Sequence, residues 1–175
     1  VGLQLNKSCP NVGQGRDFYG FVDEVWEDLS VASVLGIPLI PKLLPFTPAD
    51  VVVNISHHQA CDAIALNQTI PFGKCANWIN WKKLFPIGSP LLRRRFEQLG
   101  GFSGPQVLPI VADTIERVRE LGCQIPLIAG NGIRSQSDVV FLLNCGATAI
   151  EIGSVALVRP WRMRAIIVTG LEYVS

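Results

Sequence analysis

The sequence alternates short apolar runs with amphipathic stretches, and this order constrains the fold more than any other feature. Apolar runs predict five strands, and apolar residues spaced three and four apart predict helices between them. The alternation predicts a parallel sheet in an α/β fold, because each helix returns the chain to the starting end of the sheet. The predicted strands cover residues 1–5, 37–43, 62–67, 125–129 and 148–152, and the predicted helices cover 17–35, 47–58, 107–122, 135–146 and about 160 onward.

Local signals indicate where helices begin and which faces they bury. Thr47 precedes a proline and predicts a hydroxyl N-cap with that proline in the first helical position. Ser135 and Asp138 have the spacing of a capping box. In the helix predicted at 107–122, the apolar stripe that ends at Leu121 is expected to face the core.

Each predicted strand is followed by polar or glycine residues at its C-terminal end. Barrel enzymes build their active sites at this end, and doubly wound sheets also bind ligands there. The pattern favours a (β/α)8 TIM barrel, which needs about 250 residues when complete. A chain of 175 residues that begins with Val1 is therefore expected to be a piece, a partial barrel of about five βα units. The residues at the strand ends are Asn6 with Cys9, Lys42, Asn67, Gly130-Asn131-Gly132 and Gly153-Ser154.

Residues 70–98 interrupt this rhythm within a single predicted domain, 1–175. Prolines and glycines surround Trp78 and Trp81, and a run of three arginines follows at 93–95. Long excursions in compact domains are usually functional or disordered. The two tryptophans, interpreted as buried, favour an ordered insertion or lid over the site, and the arginines favour a solvated face over a phosphate clamp.

Composition narrows the classes of function. Fifteen basic and fourteen acidic residues give a net charge of +1, which provides no electrostatic footprint for nucleic acid, so a small-molecule partner is expected. No apolar run reaches the roughly 18 residues of a membrane span. Five cysteines, odd in number and without CxxC spacing, argue against a metal site or a disulfide framework. A reducing, cytoplasmic setting is the simplest expectation.

Two residues at strand ends carry distinctive chemistry. Cys9 precedes a proline, which keeps the thiol on a turn, where it could be a nucleophile, a base, a ligand or inert. Lys42 ends an apolar strand, and an unpaired buried ammonium is costly. We therefore expect Lys42 either to have an electron-rich partner or to lie at the surface.

The loops at 129–133 and 152–154 are rich in glycine and follow the last two predicted strands. Barrel enzymes commonly bind phosphate in these two loops, where glycines let backbone N–H groups approach the anion. The start of the helix near Ser135 would add its unpaired N–H groups and dipole. Together the two loops predict a phosphate site, although each alone could be a simple turn.

Three motifs in order resemble the dihydroorotate dehydrogenase family: Asn6-x-Ser8-Cys9-Pro10-Asn11, Lys42-Leu43-x-Pro45 and Gly100-Gly101-Phe102-Ser103-Gly104-Pro105. The similarity extends from residue 3 to about residue 165 and matches the C-terminal part of that family's barrel. It implies FMN-dependent oxidation of dihydroorotate to orotate in pyrimidine biosynthesis. Cys9 would take a proton from C5 while hydride leaves C6 for the flavin. The fragment alone is expected to be inactive, to bind FMN weakly or not at all, and to aggregate through open sheet edges.

The resemblance also implies the site residues. The expected contacts to the pyrimidine are Asn6, Asn11, Asn67 and Gln68, and Gln68 replaces a hydroxyl residue of the family. The expected contacts to FMN are Asn6, Lys42, Leu66, Gly104, Asn131, Gly132, Gly153 and Ser154, and Asn131 replaces a glycine.

A cysteine base resembles the class whose acceptor is fumarate, or NAD through an electron-transfer subunit. A homodimer is a further possible assembly. Two alternatives stay open: a related flavin enzyme acting on another pyrimidine, including the tRNA dihydrouridine type, and a non-catalytic fragment. The net charge of +1 does not favour the tRNA alternative.

Overall fold

Five parallel strands carry the fold, and each predicted apolar run contributes one of them. The computed structural model describes residues 2–7, 18–95 and 99–174. The five strands begin one or two residues later than predicted. The strands and helices are β1 (Leu3–Asn6), α1 (Phe18–Ala32), β2 (Leu39–Leu43), α2 (Ala49–Ser56), β3 (Ile64–Leu66), β4 (Ile70–Pro71), α3 (Trp81–Leu84), α4 (Pro90–Arg93), β5 (Gly101–Phe102), α5 (Leu108–Glu120), β6 (Leu127–Gly130), α6 (Gln136–Asn144), β7 (Ala149–Glu151), α7 (Ser154–Val158) and α8 (Met163–Val174).

The main sheet has the strand order β1-β2-β3-β6-β7, and all of its neighbouring strands are parallel. This confirms the predicted α/β class. The pairing is in simple register, with Leu3 opposite Leu39 and Leu43 opposite Leu66. Residues opposite each other point to the same face, so the two faces of the sheet can be read directly from this register.

One face of the sheet forms the core with the helices. Along β2 every second residue is buried, and Leu39 and Leu43 are at most 1% exposed. The amphipathic helices cover this face because their apolar stripes bury against it. Fully buried partners include Val25 and Leu29 of α1, Val51 and Ile55 of α2, and Val111 and Ile115 of α5.

The sheet is strongly curled. Five strands about 4.8 Å apart would place the edges of a flat sheet about 19 Å from each other. Gln4 of edge strand β1 nevertheless donates from Nε2 to Oε2 of Glu151 in the opposite edge strand β7, at 2.8 Å. The two edges therefore approach each other around a concave inner face, which is the geometry of a partial barrel and not of an open doubly wound sheet.

Residues 72–99 form an excursion closed by a two-stranded antiparallel ribbon. Ile70 pairs with Phe102, and Pro71 pairs with Gly101. Trp81 packs in an aromatic cluster with Phe72, Phe85 and Phe102, at ring centroid distances of 4.7 to 6.1 Å. Trp78 was predicted to be buried, and this prediction was wrong, because Trp78 is 49% exposed. The ribbon ends directly before Ser103, and so it fixes where that hydroxyl lies.

Two expectations about helix ends also need correction. Thr47 does not cap α2, because its hydroxyl donates to the carbonyl oxygen of Leu44 at 2.9 Å and closes the preceding turn. Leu121 is 56% exposed, because α5 ends at Glu120 and the helical period no longer applies beyond it.

The capping box predicted at the start of α6 is present, but with a different backbone partner. The carboxylate of Asp138 accepts from the Ser135 hydroxyl at 2.9 Å and from the backbone N–H of Arg134 at 2.8 Å, one residue earlier than expected. Neither Arg134 nor Ser135 lines the cleft described below. The predicted contribution of the N–H groups of this helix to a phosphate site stays a prediction.

Three observations concern membrane-spanning helices, metal sites and disulfides. No helix in the described part of the chain is long and apolar enough to cross a bilayer. Among residues 2–7, 18–95 and 99–174, no group of three or more His, Cys, Asp or Glu side chains could hold a metal ion. The cysteines in those ranges, Cys61, Cys75, Cys123 and Cys145, are free thiols.

Candidate functional site

The inner face of the sheet becomes polar toward the C-terminal ends of the strands. Asn6 of β1 is opposite Lys42 of β2, and Gly130 of β6 is opposite Glu151 of β7. Side chains in register share a face, so the amide, the ammonium and the carboxylate all point into the concave side. The strands thus deliver polar groups to one end of the partial barrel, as the sequence predicted.

Glu151 is the residue on which this polar face converges. Its carboxylate accepts from Lys42 Nζ at 3.2 Å, from Gln4 Nε2 at 2.8 Å and from Asn67 Nδ2. Burial alone would raise the pKa of Glu151, but the hydrogen bond from Gln4 and the charge of Lys42 outweigh burial and hold the pKa below the ordinary glutamate value. The carboxylate is therefore ionised near neutral pH.

The electron-rich partner expected for Lys42 is thus present within the protein, as the carboxylate of Glu151. Glu151 was not among the predicted site residues, although one signal in the sequence points to it. It is the only charged residue in the predicted strand 148–152, just as Lys42 is in the strand 37–43. The contact between Lys42 and the flavin stays a prediction.

A cleft of about 350 Å³ opens at this end of the strands. This volume lies at the lower end of the range for small-molecule sites. Polar side chains and glycines form much of its wall, and aliphatic residues form the rest. Its lining includes Lys42, Asn67, Gln68, Thr69, Ser103, Asn131, Gly132, Glu151, Gly153 and Ser154.

Asn131 joins the loops on three sides of the cleft. Its backbone has φ +74°, a conformation that asparagine adopts more readily than most residues. Its Nδ2 donates to the carbonyl oxygen of Gln68 at 2.9 Å, and its Oδ1 accepts from the Ser103 hydroxyl at 2.8 Å. Ser103 Oγ also lies 3.2 Å from Ser154 Oγ. The residue that replaces the family's glycine therefore ties three loops together.

Two of the glycines in the cleft differ in their surroundings. A Cβ added to Gly132 would lie 2.8 Å from the carbonyl oxygen of Gly104, so these two loops touch backbone to backbone. A Cβ added to Gly153 would meet nothing within 4 Å. Gly132 is thus required by the fold, whereas Gly153 leaves room beside its backbone.

The remaining predicted residues lie in three kinds of place. Asn6 accepts a hydrogen bond from Gln68 Nε2, so two expected pyrimidine contacts touch each other. Leu66 is fully buried in the core and does not line the cleft. Cys9 and Asn11 lie outside the described residues.

A curled parallel sheet with a polar, glycine-rimmed cleft at its C-terminal end defines a partial (β/α) barrel of the type that binds a small molecule at that face. Comparison with known proteins then gives the family. The family model described as dihydroorotate dehydrogenase matches residues 2–173. The chain belongs to the dihydroorotate dehydrogenase family.

Several relatives give the extent of this similarity. The catalytic subunit of dihydroorotate dehydrogenase B (NAD(+)) from Anoxybacillus flavithermus is 31% identical over 91% of this chain and 48% of its own length. Dihydroorotate dehydrogenase A (fumarate) from Lactobacillus helveticus is 30% identical over 87% of this chain and 47% of its own length. The chain therefore spans about half the length of the curated relatives it matches.

A solved structure supports the fold. The crystal structure of DHODH in complex with ferulenol from Eimeria tenella matches with a TM-score of 0.59 and 18% identity. The match covers 93% of this chain and 47% of that chain. At this identity the likeness concerns the fold alone, and it agrees with a partial barrel.

Proposed function

We propose that the protein takes part in FMN-dependent oxidation of dihydroorotate to orotate. The observation that carries the proposal is that one cleft collects Lys42, Asn67, the Asn131–Gly132 turn and the Gly153–Ser154 loop. These residues come from strand ends far apart in the sequence, and family resemblance assigns them to FMN or pyrimidine. Membership of the dihydroorotate dehydrogenase family supports the same assignment.

The chemistry of the cleft fits such a group. Asn67 Oδ1 is buried and has no hydrogen-bond partner among the described residues. A buried acceptor of this kind costs free energy unless a donor reaches it, and a pyrimidine N–H is a suitable donor. The open space beside the Gly153 backbone would let a phosphate approach its loop closely.

Each residue then has a defined task. FMN, when bound, supplies the acceptor for a hydride. Lys42 places a positive charge in the cleft, and the glycine loops place backbone N–H groups beside a phosphate. Asn67, Gln68 and Asn6 orient the pyrimidine through amide groups, with Asn11 expected to join them.

Cys9 is the proposed base that removes the proton from C5 of the substrate. A free thiol has a pKa of about 8.5, so a modest depression gives useful thiolate near neutral pH. A serine hydroxyl in the same place would need help from a water or another group. We further propose that the electrons pass to fumarate, or to NAD through an electron-transfer subunit. A homodimer and a cytoplasmic setting are also proposals. Residues 70–98 are proposed as an insertion that covers the cleft.

Stopped-flow flavin reduction by dihydroorotate tests the function in the protein expressed at its natural full length. Cys9→Ala should slow reduction by at least about 100-fold, the lower bound for general-base catalysis, while FMN stays bound. Cys9→Ser should also be much slower than the wild type. A wild type that binds no FMN would contradict the proposal, and a Cys9→Ala variant that reduces flavin at the wild-type rate would remove Cys9 from the mechanism.

Substrate choice is measured in the same assay. Dihydroorotate should reduce the flavin faster than dihydrouracil, which lacks the carboxylate. The opposite preference would favour the second candidate, a related flavin enzyme acting on another pyrimidine. The observation behind that candidate is the contact between Gln68 and Asn6, which uses two amides expected to face the substrate.

A further inference from the structure

Lys42 and Glu151 place two opposite charges in one cleft. Lys42 Nζ lies 3.2 Å from Glu151 Oε1, and the two side chains are 20% and 38% exposed. Their strands, β2 and β7, are separated in the sheet by β3 and β6, so the pair spans the concave inner face. The positive charge that the cleft offers a ligand is thus accompanied by a negative charge from the opposite side.

Hydrogen bonds from two amide groups hold the carboxylate of Glu151 in place. Gln4 and Asn67 both donate amide hydrogens to Oε2, which leaves Oε1 directed at Lys42. Both amide donors favour the ionised form of the carboxyl group. The interaction with Lys42 is therefore a built part of the cleft.

We propose that Glu151 is a positioning residue that offsets the charge of Lys42 and thereby weakens the preference of the cleft for reduced over oxidised FMN. The inference rests on the proposed FMN site. Reduction adds two electrons and one proton from the reductant, which leaves a negative charge on the two-electron-reduced ring. A nearby ammonium stabilises that charge, and a carboxylate that accepts a hydrogen bond from the ammonium keeps it near Oε1 and so weakens this stabilisation.

The test is a potentiometric titration of bound FMN in the protein expressed at its natural full length. Glu151→Gln removes the charge while keeping a side chain of the same length. It should raise the ratio of reduced to oxidised affinity roughly tenfold, which is about 30 mV for a two-electron couple. Glu151→Asp keeps a carboxylate and should stay closer to the wild-type potential. Glu120→Gln, on the exposed side of α5, serves as the control and should leave the potential unchanged.

A double-mutant cycle separates action through Lys42 from direct action on the ring. In a Lys42→Met background, Glu151→Gln should change the affinity ratio by less than about twofold, the usual scatter of additivity. If the shift persists in full there, Glu151 does not act through Lys42 and the inference is wrong. If Lys42→Met binds too little FMN to titrate, the comparison of Glu151→Gln with Glu151→Asp decides, because equal potentials would show that charge is irrelevant.

The outcomes distinguish this inference from the proposed function. A wild type that binds FMN, with a Glu151→Gln potential equal to or below that of the wild type, overturns the inference and leaves the function intact. A wild type that binds no FMN overturns the function and the inference with it. Circular dichroism of each variant checks that the fold is retained. Unfolding could not imitate the expected result, because a loss of structure would not raise the potential of bound FMN.

Discussion

Gly132 shows how one residue can hold two loops of the cleft together. Its φ is +81°, and an added Cβ would lie 2.8 Å from the carbonyl oxygen of Gly104 and 2.9 Å from the backbone nitrogen of Leu108. Both neighbours are backbone atoms, which cannot rotate away as a side chain can. A side chain at this position would therefore strain the local conformation and separate the loops.

Gly132→Ala should lower the free energy of unfolding by at least about 1–2 kcal/mol, the cost of a left-handed conformation for a residue with a Cβ. Gly153→Ala is the matched variant, because its Cβ would meet nothing within 4 Å. We expect a much smaller loss of stability there but about tenfold weaker FMN binding, since the methyl group takes up room in the cleft. Urea titrations and quenching of FMN fluorescence measure the two effects. Equal stability losses, or unchanged FMN binding by Gly153→Ala, would contradict this assignment.

At the residue scale the sequence predicted positions better than contacts. The polar residues at strand ends, such as Lys42 and Asn67, could be identified because a parallel sheet delivers all such ends to one side. The role of Glu151 could not be identified from the sequence, because its partner Lys42 lies 109 residues earlier in the chain. Within its own strand Glu151 stands out only as the single charged residue, and only the curl of the sheet gives it a partner.

At the element scale, Arg119 of α5 connects several segments at the end of the sheet opposite the cleft. Its guanidinium donates to the carbonyl oxygens of Gly146, Cys123 and Ile125 at 2.7 to 3.0 Å and to Thr148 Oγ1 at 3.1 Å. These acceptors lie in the turns before β6 and β7. One side chain thus fixes how α5 docks against both entering strands.

Arg119→Met should lower the free energy of unfolding by about 2–3 kcal/mol, because hydrogen bonds from a charged donor are lost and partly buried carbonyls remain unpaired. Arg119→Lys should recover only part of this, since an ammonium cannot reproduce the planar fork. The control is Arg117→Met on the same helix, where the side chain is 65% exposed and pairs with Asp113. An exposed pair of this kind contributes at most about 1 kcal/mol. Similar losses for Arg119→Met and Arg117→Met in urea titrations would rule out this role.

Elements with a strong period were predictable, and short ones were not. The helix at 107–122 was found because a single face carries its apolar residues, whereas α7 has only five residues and too little length for any period to appear. The excursion at 70–98 was recognised from its prolines and glycines. Its antiparallel ribbon depends on pairing between Ile70 and Phe102, which lie too far apart in the chain for local signals to reveal.

At the scale of the whole molecule, the carboxylate of Glu151 links the last strand of the sheet to the first. It accepts from Gln4 in β1, from Lys42 in β2 and from Asn67 directly after β3. These bonds cross the concave face and do not run along the sheet. The curl that brings β1 and β7 together is therefore stabilised by an ionised group, and its strength should depend on pH.

The sign of this dependence follows from the lowered pKa of Glu151. Burial opposes ionisation, but the Gln4 hydrogen bond and the Lys42 charge outweigh it, so the folded protein holds the proton less tightly than the unfolded chain. The stabilisation is then fully present above the ordinary glutamate pKa of about 4.3 and is lost as the pH falls through the lower folded value. Glu151→Gln should accordingly be less stable than the wild type at pH 7, and the difference should be smaller at pH 3, which lies below the ordinary glutamate pKa. Glu120→Gln, on the exposed side of α5, should differ from the wild type by less than about 0.5 kcal/mol at either pH. Urea titrations of the three proteins at both pH values measure this, and a Glu151→Gln difference that is the same at pH 7 and pH 3 would mean that the carboxylate charge does not hold the two edges of the sheet together.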